Sequence, residues 1–434
     1  MTFPIDKLQT IRTPFYYYDT ELLDATLRAI KSETDKHAGY HLHYAVKACA
    51  NPKVLRHITA AGMGADCVSG GEIEACLKAG FPADEIVFAG VGKCDWEIEL
   101  GLKVGIQYFN VESIPELEVI NEIAGRMNKV AQVSFRINPN VDAHTHSNIT
   151  TGLAENKFGI AMEDMEKIIR LADSLPNVNF VGLHFHIGSQ ILDMDNFVAL
   201  SHRINELQDR LEAEGITEVK NINVGGGLGI DYENPDGHPI PDFKAYFDTY
   251  AKHLKLRPGQ HLHFELGRAV VGQCGSLVTR CLYVKQGSTK KFVIVDAGMT
   301  ELIRPALYNA YHKVENLTSK APAETYDVVG PICESSDTFV KDYQMPGTQR
   351  GDLLAIRSAG AYGEIMASQY NCRPIPTGYV SEDNTSTFKT QHVEIKNGTR
   401  PSLCYSPFAL DTLHDPLSPL HETGEYGKRN SDSC

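Results

Sequence analysis

An α/β barrel followed by an all-β domain is the fold that this 434-residue sequence predicts, on three observations. Eight short apolar, β-branched or aromatic runs alternate with segments of helical period from residue 41 to about 270. That span is close to the ~250 residues usual for a (β/α)8 barrel. After 270 the pattern changes to period two, as in strands with one buried face. A doubly wound parallel sheet gives the same α/β alternation, and the count of eight favours the barrel.

In order, the runs are HLHYAV (41–46), MGADCV (63–68), EIVFAG (85–90), IQYFNV (106–111), AQVSFRIN (131–138), FVGLHFHIG (180–188), KNINVGG (220–226) and HLHFELG (261–267). Between them, EIEACLKAG, DWEIELGLKVG, IPELEVINEIAGRM and MEDMEKIIRLADSL carry apolar residues at i, i+3, i+4 and i+7. That spacing gives a helix one apolar face. The barrel is expected over 36–272. Beyond it, GSLVTRCLYVKQG and KKFVIVDAG predict a sandwich-like or barrel-like β domain over 273–378. The opening TPFYYYDT (13–20) has the same β character, so residues 1–35 are expected to join that domain. From about 375 the pattern fails. Residues 379–434 read as an atypical tail, polar, rich in Pro and Ser and without period, a composition typical of disorder.

Composition narrows the function. With 42% hydrophobic and 22% charged residues, the chain reads as an ordinary soluble globular protein. A formal net charge of −14 argues against nucleic-acid partners, which bind through Lys and Arg on phosphates. No apolar run approaches the ~20 residues of a membrane span. MTFPIDKLQT has neither the basic flank nor the apolar stretch of a signal peptide. Ten cysteines without CxxC or metal-type spacing predict reduced thiols in a cytoplasm, with neither a metal site nor a disulfide framework. The Asn-x-Ser/Thr sequences at Asn148, Asn316, Asn384 and Asn397 carry little weight without a secretion signal.

In a barrel, the C-terminal strand ends share one face, and active sites lie there. Strand one ends in Lys47. Strand two carries Asp66, with Ser69 and Glu72 beyond it, and strand five holds Arg136. Strand six ends in His186, Gly188 and Ser189. Strand seven runs into Gly225–Gly229, and strand eight ends in Glu265 and Arg268. Singly, each has a plain explanation. A lysine at a strand end snorkels to solvent, alternate histidines are satisfied core or rim groups, and clustered glycines mark turns. Together they say more. A glycine loop after strand seven and an arginine after strand eight stand where barrels commonly bind phosphate. Glycines let backbone N–H groups approach phosphate oxygens. An amine, a phosphate cradle and a carboxylate on one rim describe a site for pyridoxal phosphate. Lys47 would take its aldehyde, and Glu265 would keep its pyridine nitrogen protonated so that the ring accepts electrons. His186 is the candidate to lie flat on the ring.

The series YAVKACAN, HFHIGSQ, GGGLG, ELGR, RPALY, CESSDTF and GAYGEIMAS resembles, in order, the motifs of the bacterial diaminopimelate decarboxylases. These are enzymes of the pyridoxal-phosphate-dependent, alanine-racemase-like barrel group, and the resemblance runs from about residue 12 to 375. It implies pyridoxal 5'-phosphate on Lys47, with Ser189, Gly225, Gly226 and Gly227 on the phosphate and Glu265 on the ring nitrogen. The loop continues through Leu266 and Gly267 to Arg268, which would also reach substrate. Arg304 and Tyr308 match residues that grip the distal carboxylate. Cys333 matches the proton donor, and Glu334 the group that reads the distal amino centre. Tyr362 matches a residue touching both cofactor and substrate. Asp66, Glu72 and Arg136 match supporting positions. In the family, Cys333 and Glu334 come from the partner subunit, so a homodimer with shared sites is implied. The implied reaction is decarboxylation of meso-2,6-diaminopimelate to L-lysine and carbon dioxide, the last step of lysine biosynthesis by that route.

Residue chemistry agrees independently. Diaminopimelate has two carboxylates and two amines, so its site needs more cations than a simple amino-acid pocket. Arg268 and Arg304 supply bidentate clamps that lysine does not imitate, and Glu334 suits the second ammonium. Without its motif, Cys333 would read as a small buried hydrophobe. A sister decarboxylase acting on ornithine, lysine, arginine or carboxynorspermidine is the next reading, and Arg304 with CESSD speaks against substrates lacking a distal carboxylate. A racemase would need a second base, typically a tyrosine, where CESSDTF offers a cysteine. A non-catalytic pyridoxal-phosphate-binding protein is usually a single barrel. Two features depart from the family. Leu266 stands in place of the proline of EPGR, which predicts a looser loop with little functional change. After Arg373 the chain does not resemble the family's closing strand and helix.

Overall fold

Strand β1 (Phe15–Tyr18) lies outside the barrel, and the next eight strands build it. The computed structural model describes residues 1–141 and 157–383. Most of the expected tail, with Asn148, Asn384 and Asn397, lies outside them. Among the described residues, β2 (Tyr40–Ala45), β3 (Gly64–Cys67), β4 (Ile86–Phe88), β5 (Tyr108–Val111), β6 (Ala131–Arg136), β7 (Val178–His184), β8 (Asn221–Asn223) and β9 (His261–Leu266) close in order. Every pair is parallel, and β9 returns to β2 through Tyr40–Leu262 and Tyr44–Leu266. The expected barrel is therefore the observed one.

Local chemistry punctuates the helices between these strands. Ser69 Oγ accepts from Glu72 N and caps the helix Gly70–Ala79, which ends at Gly80 with φ +100°. Ser113 caps Ile114–Arg126 in the same way, with proline in its first turn. Such a cap is worth ~1 kcal/mol. Outward-facing strand residues and inward-facing helix residues, among them Ile73, Phe88, Phe109, Leu117, Ile120 and Phe264, form the main core.

The barrel axis is different. Asn110 of β5 and His184 of β7 both reach Glu265 of β9, and Asn223 of β8 reaches Tyr108 of β5. Contacts between strands that are not neighbours cross the interior, so these polar groups fill it. Barrel interiors are more often filled by branched apolar side chains. Near the base, His43 Nε2 meets His263 Nδ1 at 2.9 Å, and exposed His41 meets His261 at 2.9 Å. Val87, Tyr108 and Val181 form a small apolar cluster apart from the main core.

The second sheet, among the described residues, has β10 (Gly275–Gln286), β11 (Lys291–Val295), β12 (Val314–Asn316), β13 (Ala323–Val329), β14 (Thr338–Pro346), β15 (Leu353–Ile356) and β16 (Thr377–Val380). Its path is β12-β15-β10-β11-β13-β14, with β1 joined antiparallel to β10 and parallel to β16. Two details differ from the sequence reading. TGYV, in the stretch where periodicity fails, is the strand β16. Four residues are too short to show a period, and the open edge of β1 supplies their hydrogen bonds. Within the opening segment, Thr20–Thr34 is an amphipathic helix that buries Leu23, Leu27 and Ile30 against barrel helices. No described helix is long and apolar enough to cross a membrane. No described cluster of His, Cys, Asp or Glu suits a metal ion.

Candidate active site

β2 ends at Ala45, and Val46–Ala48 turn as a 3-10 helix, which carries Lys47 to the C-terminal mouth of the barrel. Its Nζ donates to Asp66 Oδ2 at 2.7 Å. Lys47 is 38% exposed at its side chain and Asp66 is fully buried. Burial pulls the lysine down, but Asp66, Tyr362 and Glu265 outweigh it and hold the amine above its ordinary value. Asp66 is pushed up to about 6 by burial and by Glu265, against the pull of Lys47.

Glu265 sits one strand away. Burial would raise its carboxyl, but His184 and Lys47 hold it well below the usual carboxylate range. His184 Nε2 lies 3.0 Å from Oε2, and Asn223 Nδ2 donates to Oε1 at 2.7 Å. His186 accepts from Gly226 N at Nδ1, 3.3 Å away, which leaves any hydrogen of the neutral ring on Nε2. Burial, with Arg136 and Lys47 nearby, keeps that imidazole uncharged.

The glycine loop admits no side chains. A Cβ on Gly226 would stand 2.0 Å from the Glu265 carbonyl oxygen, and one on Gly225 would stand 2.5 Å from that of Phe185. Gly225 and Gly227 also hold φ of +68° and +108°, which glycine tolerates at no steric cost. The result is a bare backbone cradle at the strand ends. Gly267 has a related task, since a Cβ there would crowd Ala45 and Ala48 on either side of Lys47. Leu266 is the last residue of β9, buried and in register with Tyr44, so the expected looser loop is instead continuous strand. Leucine keeps the backbone N–H that proline would remove.

Arg268 and Arg304 are 4% and 7% exposed. Arg268 donates to Ser189 Oγ from Nε at 3.3 Å and from Nη2 at 3.0 Å, and its Nη1 donates to the Tyr232 phenol oxygen. Arg304 Nη2 reaches the same phenol at 3.4 Å, and its Nε donates to His312 Nε2 at 3.3 Å. His312 in turn lies 2.9 Å from the Arg357 carbonyl through Nδ1, which assigns its proton to that nitrogen. The Tyr308 and Tyr362 rings flank the Arg304 guanidinium at 5.6 and 5.9 Å. Tyr362 has φ +57°, and its N–H is held by the Ala48 carbonyl at 2.7 Å, beside Lys47.

The supporting residues brace the rim. Glu72 accepts from Val68 N at 2.7 Å and is pushed up to about 7, chiefly by burial. Arg136 donates to Glu112, whose carboxylate also takes the N–H groups of Gly90 and Gly159. Cys333 and Glu334 stand apart, exposed on the turn between β13 and β14. Glu334 bonds Ser336 and the Tyr370 phenol. Among the described residues, none of their bonds reaches Lys47, Arg268 or Arg304.

His184, Asn223, Asn110, Tyr232 and His312 escaped sequence reasoning. For His184 and Asn223 the signal was present, because the alternation that turns His186 and Gly225 inward turns them inward too. Tyr232 and His312 lie in loops with no period to reveal them.

An amine, a carboxylate with buried donors and a glycine cradle fit pyridoxal phosphate. Residues 23–272 match the family described as pyridoxal-dependent decarboxylase, pyridoxal binding domain. A diaminopimelate decarboxylase of Bacteroides thetaiotaomicron is 68% identical over 381 residues, 88% of this chain and 98% of that protein. The crystal structure of diaminopimelate decarboxylase from Helicobacter pylori complexed with L-lysine matches with a TM-score of 0.82 at 41% identity, covering 88% of this chain and 94% of that one. The lysine/ornithine decarboxylase of Vibrio vulnificus complexed with putrescine shares the fold, with a TM-score of 0.75 at 21% identity, covering 87% of this chain and 97% of that one. This chain belongs to the diaminopimelate decarboxylase family of pyridoxal-dependent decarboxylases.

Proposed function

We propose that this site decarboxylates meso-2,6-diaminopimelate to L-lysine and carbon dioxide. One observation carries the reading: two buried guanidiniums, Arg268 and Arg304, share a phenol and, among the described residues, pair with no carboxylate. Buried charges are ordinarily paired, so the site calls for anions, and a substrate with a carboxylate at each end supplies them.

Lys47 would hold the cofactor's aldehyde carbon, Ser189 and Gly225–Gly227 its phosphate, Glu265 its ring nitrogen and His186 one ring face. When bound, pyridoxal phosphate supplies an electron sink for the pair left as carbon dioxide departs. Asp66 loses its cation partner whenever Lys47 Nζ gives up its charge, and burial then makes it the base for that proton. Neutral His312 holds Arg304 by Nε and leaves the guanidinium fork for the distal carboxylate. Tyr308 and Tyr362 wall the fork with aromatic faces. Cys333 Sγ is the proposed donor of the replacing proton, and Glu334 the proposed reader of the distal ammonium, both supplied across a homodimer interface. Glu72 and Arg136 support the rim. The barrel over 36–272 and the β domain over 273–378, in a cytoplasmic enzyme, complete this reading.

Carbon dioxide release by the cofactor-loaded protein tests it. Release is expected from meso-diaminopimelate, with lysine as product, and not from ornithine, lysine or arginine. Release from one of those three would overturn the distal pocket while keeping the cofactor site.

A further inference from the structure

Glu265 is held from three strands. Asn223 Nδ2 donates to its Oε1 at 2.7 Å, Asn110 Nδ2 reaches the same oxygen at 3.4 Å, and His184 Nε2 lies 3.0 Å from Oε2. The glutamate is 6% exposed, His184 is 1%, and both asparagines are fully buried. An ionised carboxylate offers about two acceptor positions on each oxygen. Two donors therefore fill Oε1, and one donor half-fills Oε2. The position left open is on Oε2, the oxygen that His184 touches.

His184 spends its polar chemistry on that oxygen alone. Its Nδ1 is buried and, among the described residues, has no hydrogen-bond partner. Among the described residues, the ring therefore ties β7 to no element other than β9. A donor to a carboxylate oxygen lowers the proton affinity of that oxygen. Without it, only Lys47 and the two asparagine donors would oppose desolvation inside the barrel, and the carboxyl would rise.

We propose that His184 is a positioning residue that makes Glu265 the weaker base, so that a proton shared with the cofactor's ring nitrogen stays on the nitrogen. This rests on the reading above, in which Glu265 faces that nitrogen. Asn223 and Asn110 orient the carboxylate through its other oxygen, and among the described residues His184 alone bonds the oxygen left open. The electron sink needs a protonated ring, so losing the donor weakens the chemical step and spares substrate binding.

The test is the 15N NMR signal of cofactor labelled at its pyridine nitrogen and bound to the holoenzyme, followed against pH. In His184→Leu the signal should move from the pyridinium toward the neutral pyridine position. There kcat should fall about 10- to 100-fold, the scale of one charge-assisted hydrogen bond, with KM changed less than about threefold. His184→Gln, whose amide nitrogen can occupy the place of Nε2, should restore the pyridinium signal. If His184→Leu does not fold, His184→Asn replaces it, since its shorter amide draws the donor away from Oε2. Equal pyridinium signals from Asn and Gln, or from Leu and the native protein, would overturn the proposal. Glu265→Gln is the control. If it moves the signal and the His184 variants do not, His184 only packs the barrel and the Glu265 reading stands. If Glu265→Gln leaves the signal unmoved, the Glu265 reading falls, and this inference with it.

Discussion

Lys47 and Asp66 form a 2.7 Å ion pair at the barrel mouth, one partner reaching solvent and the other wholly buried. The pair keeps the amine charged and fixed in place. Replacing Lys47 with Ala should abolish both the visible absorption of bound cofactor and carbon dioxide release. Turnover that survives in Lys47→Ala would refute the assignment of this amine.

Arg304 is held by His312 and flanked by Tyr308 and Tyr362, an arrangement suited to a planar fork. Arg304→Lys keeps the charge and loses bidentate geometry. The expected result is a KM for diaminopimelate raised about 10- to 100-fold, with a smaller change in kcat. Steady-state kinetics check it, and an unchanged KM would remove Arg304 from the distal pocket.

Cys333 lies on an exposed turn of its own chain. In a shared site, Cys333→Ala should bind cofactor normally yet lose most turnover. Mixed with Lys47→Ala chains, it should recover about a quarter of native activity, because random pairing makes half the dimers mixed, each with one intact site of two. No recovery in verified mixed dimers would count against a site completed across subunits.

Acid should weaken the barrel base. His43 is 2% exposed and sits between His263 and the Glu85 carbonyl, with His41 nearby and Glu265 farther up the axis. Burial lowers it to about 4, and His263 is lowered too, by burial and by the imidazoles of His43, His41 and His261. The unfolded chain binds a proton near pH 6.5, whereas the folded chain resists it until about 4. Stability is therefore full above about 6.5 and falls as pH drops toward 4, by about 3 kcal/mol for His43 alone. Urea midpoints at pH 7, 5.5 and 4.5 should fall less steeply in His43→Gln. Parallel curves would place the acid sensitivity elsewhere.

Much of the site was legible because its chemistry sits at strand ends, where order along the chain maps onto position around the rim. Lys47, Gly225–Gly227, Glu265 and Arg268 could be read as one constellation for that reason. The next layer could not. His184, Asn110 and Asn223 belong to three different strands, and only closure of the barrel shows that all three converge on Glu265. Tyr232 joins two arginines that are 36 residues apart in sequence through a contact no local pattern encodes. The strand Thr377–Val380 exists because β1 offers it an edge, a tertiary cause invisible within four residues.

The polar axis divides labour within the fold. Apolar cohesion comes from the annulus between strands and helices, where Ile73, Phe88, Leu117 and Phe264 pack, while the lumen holds imidazoles, amides and carboxylates tied mostly to one another. Shell and lumen can then diverge separately. A lumen residue can change the local potential at Glu265 without opening a void in the shell, and a shell residue can be repacked without disturbing that potential.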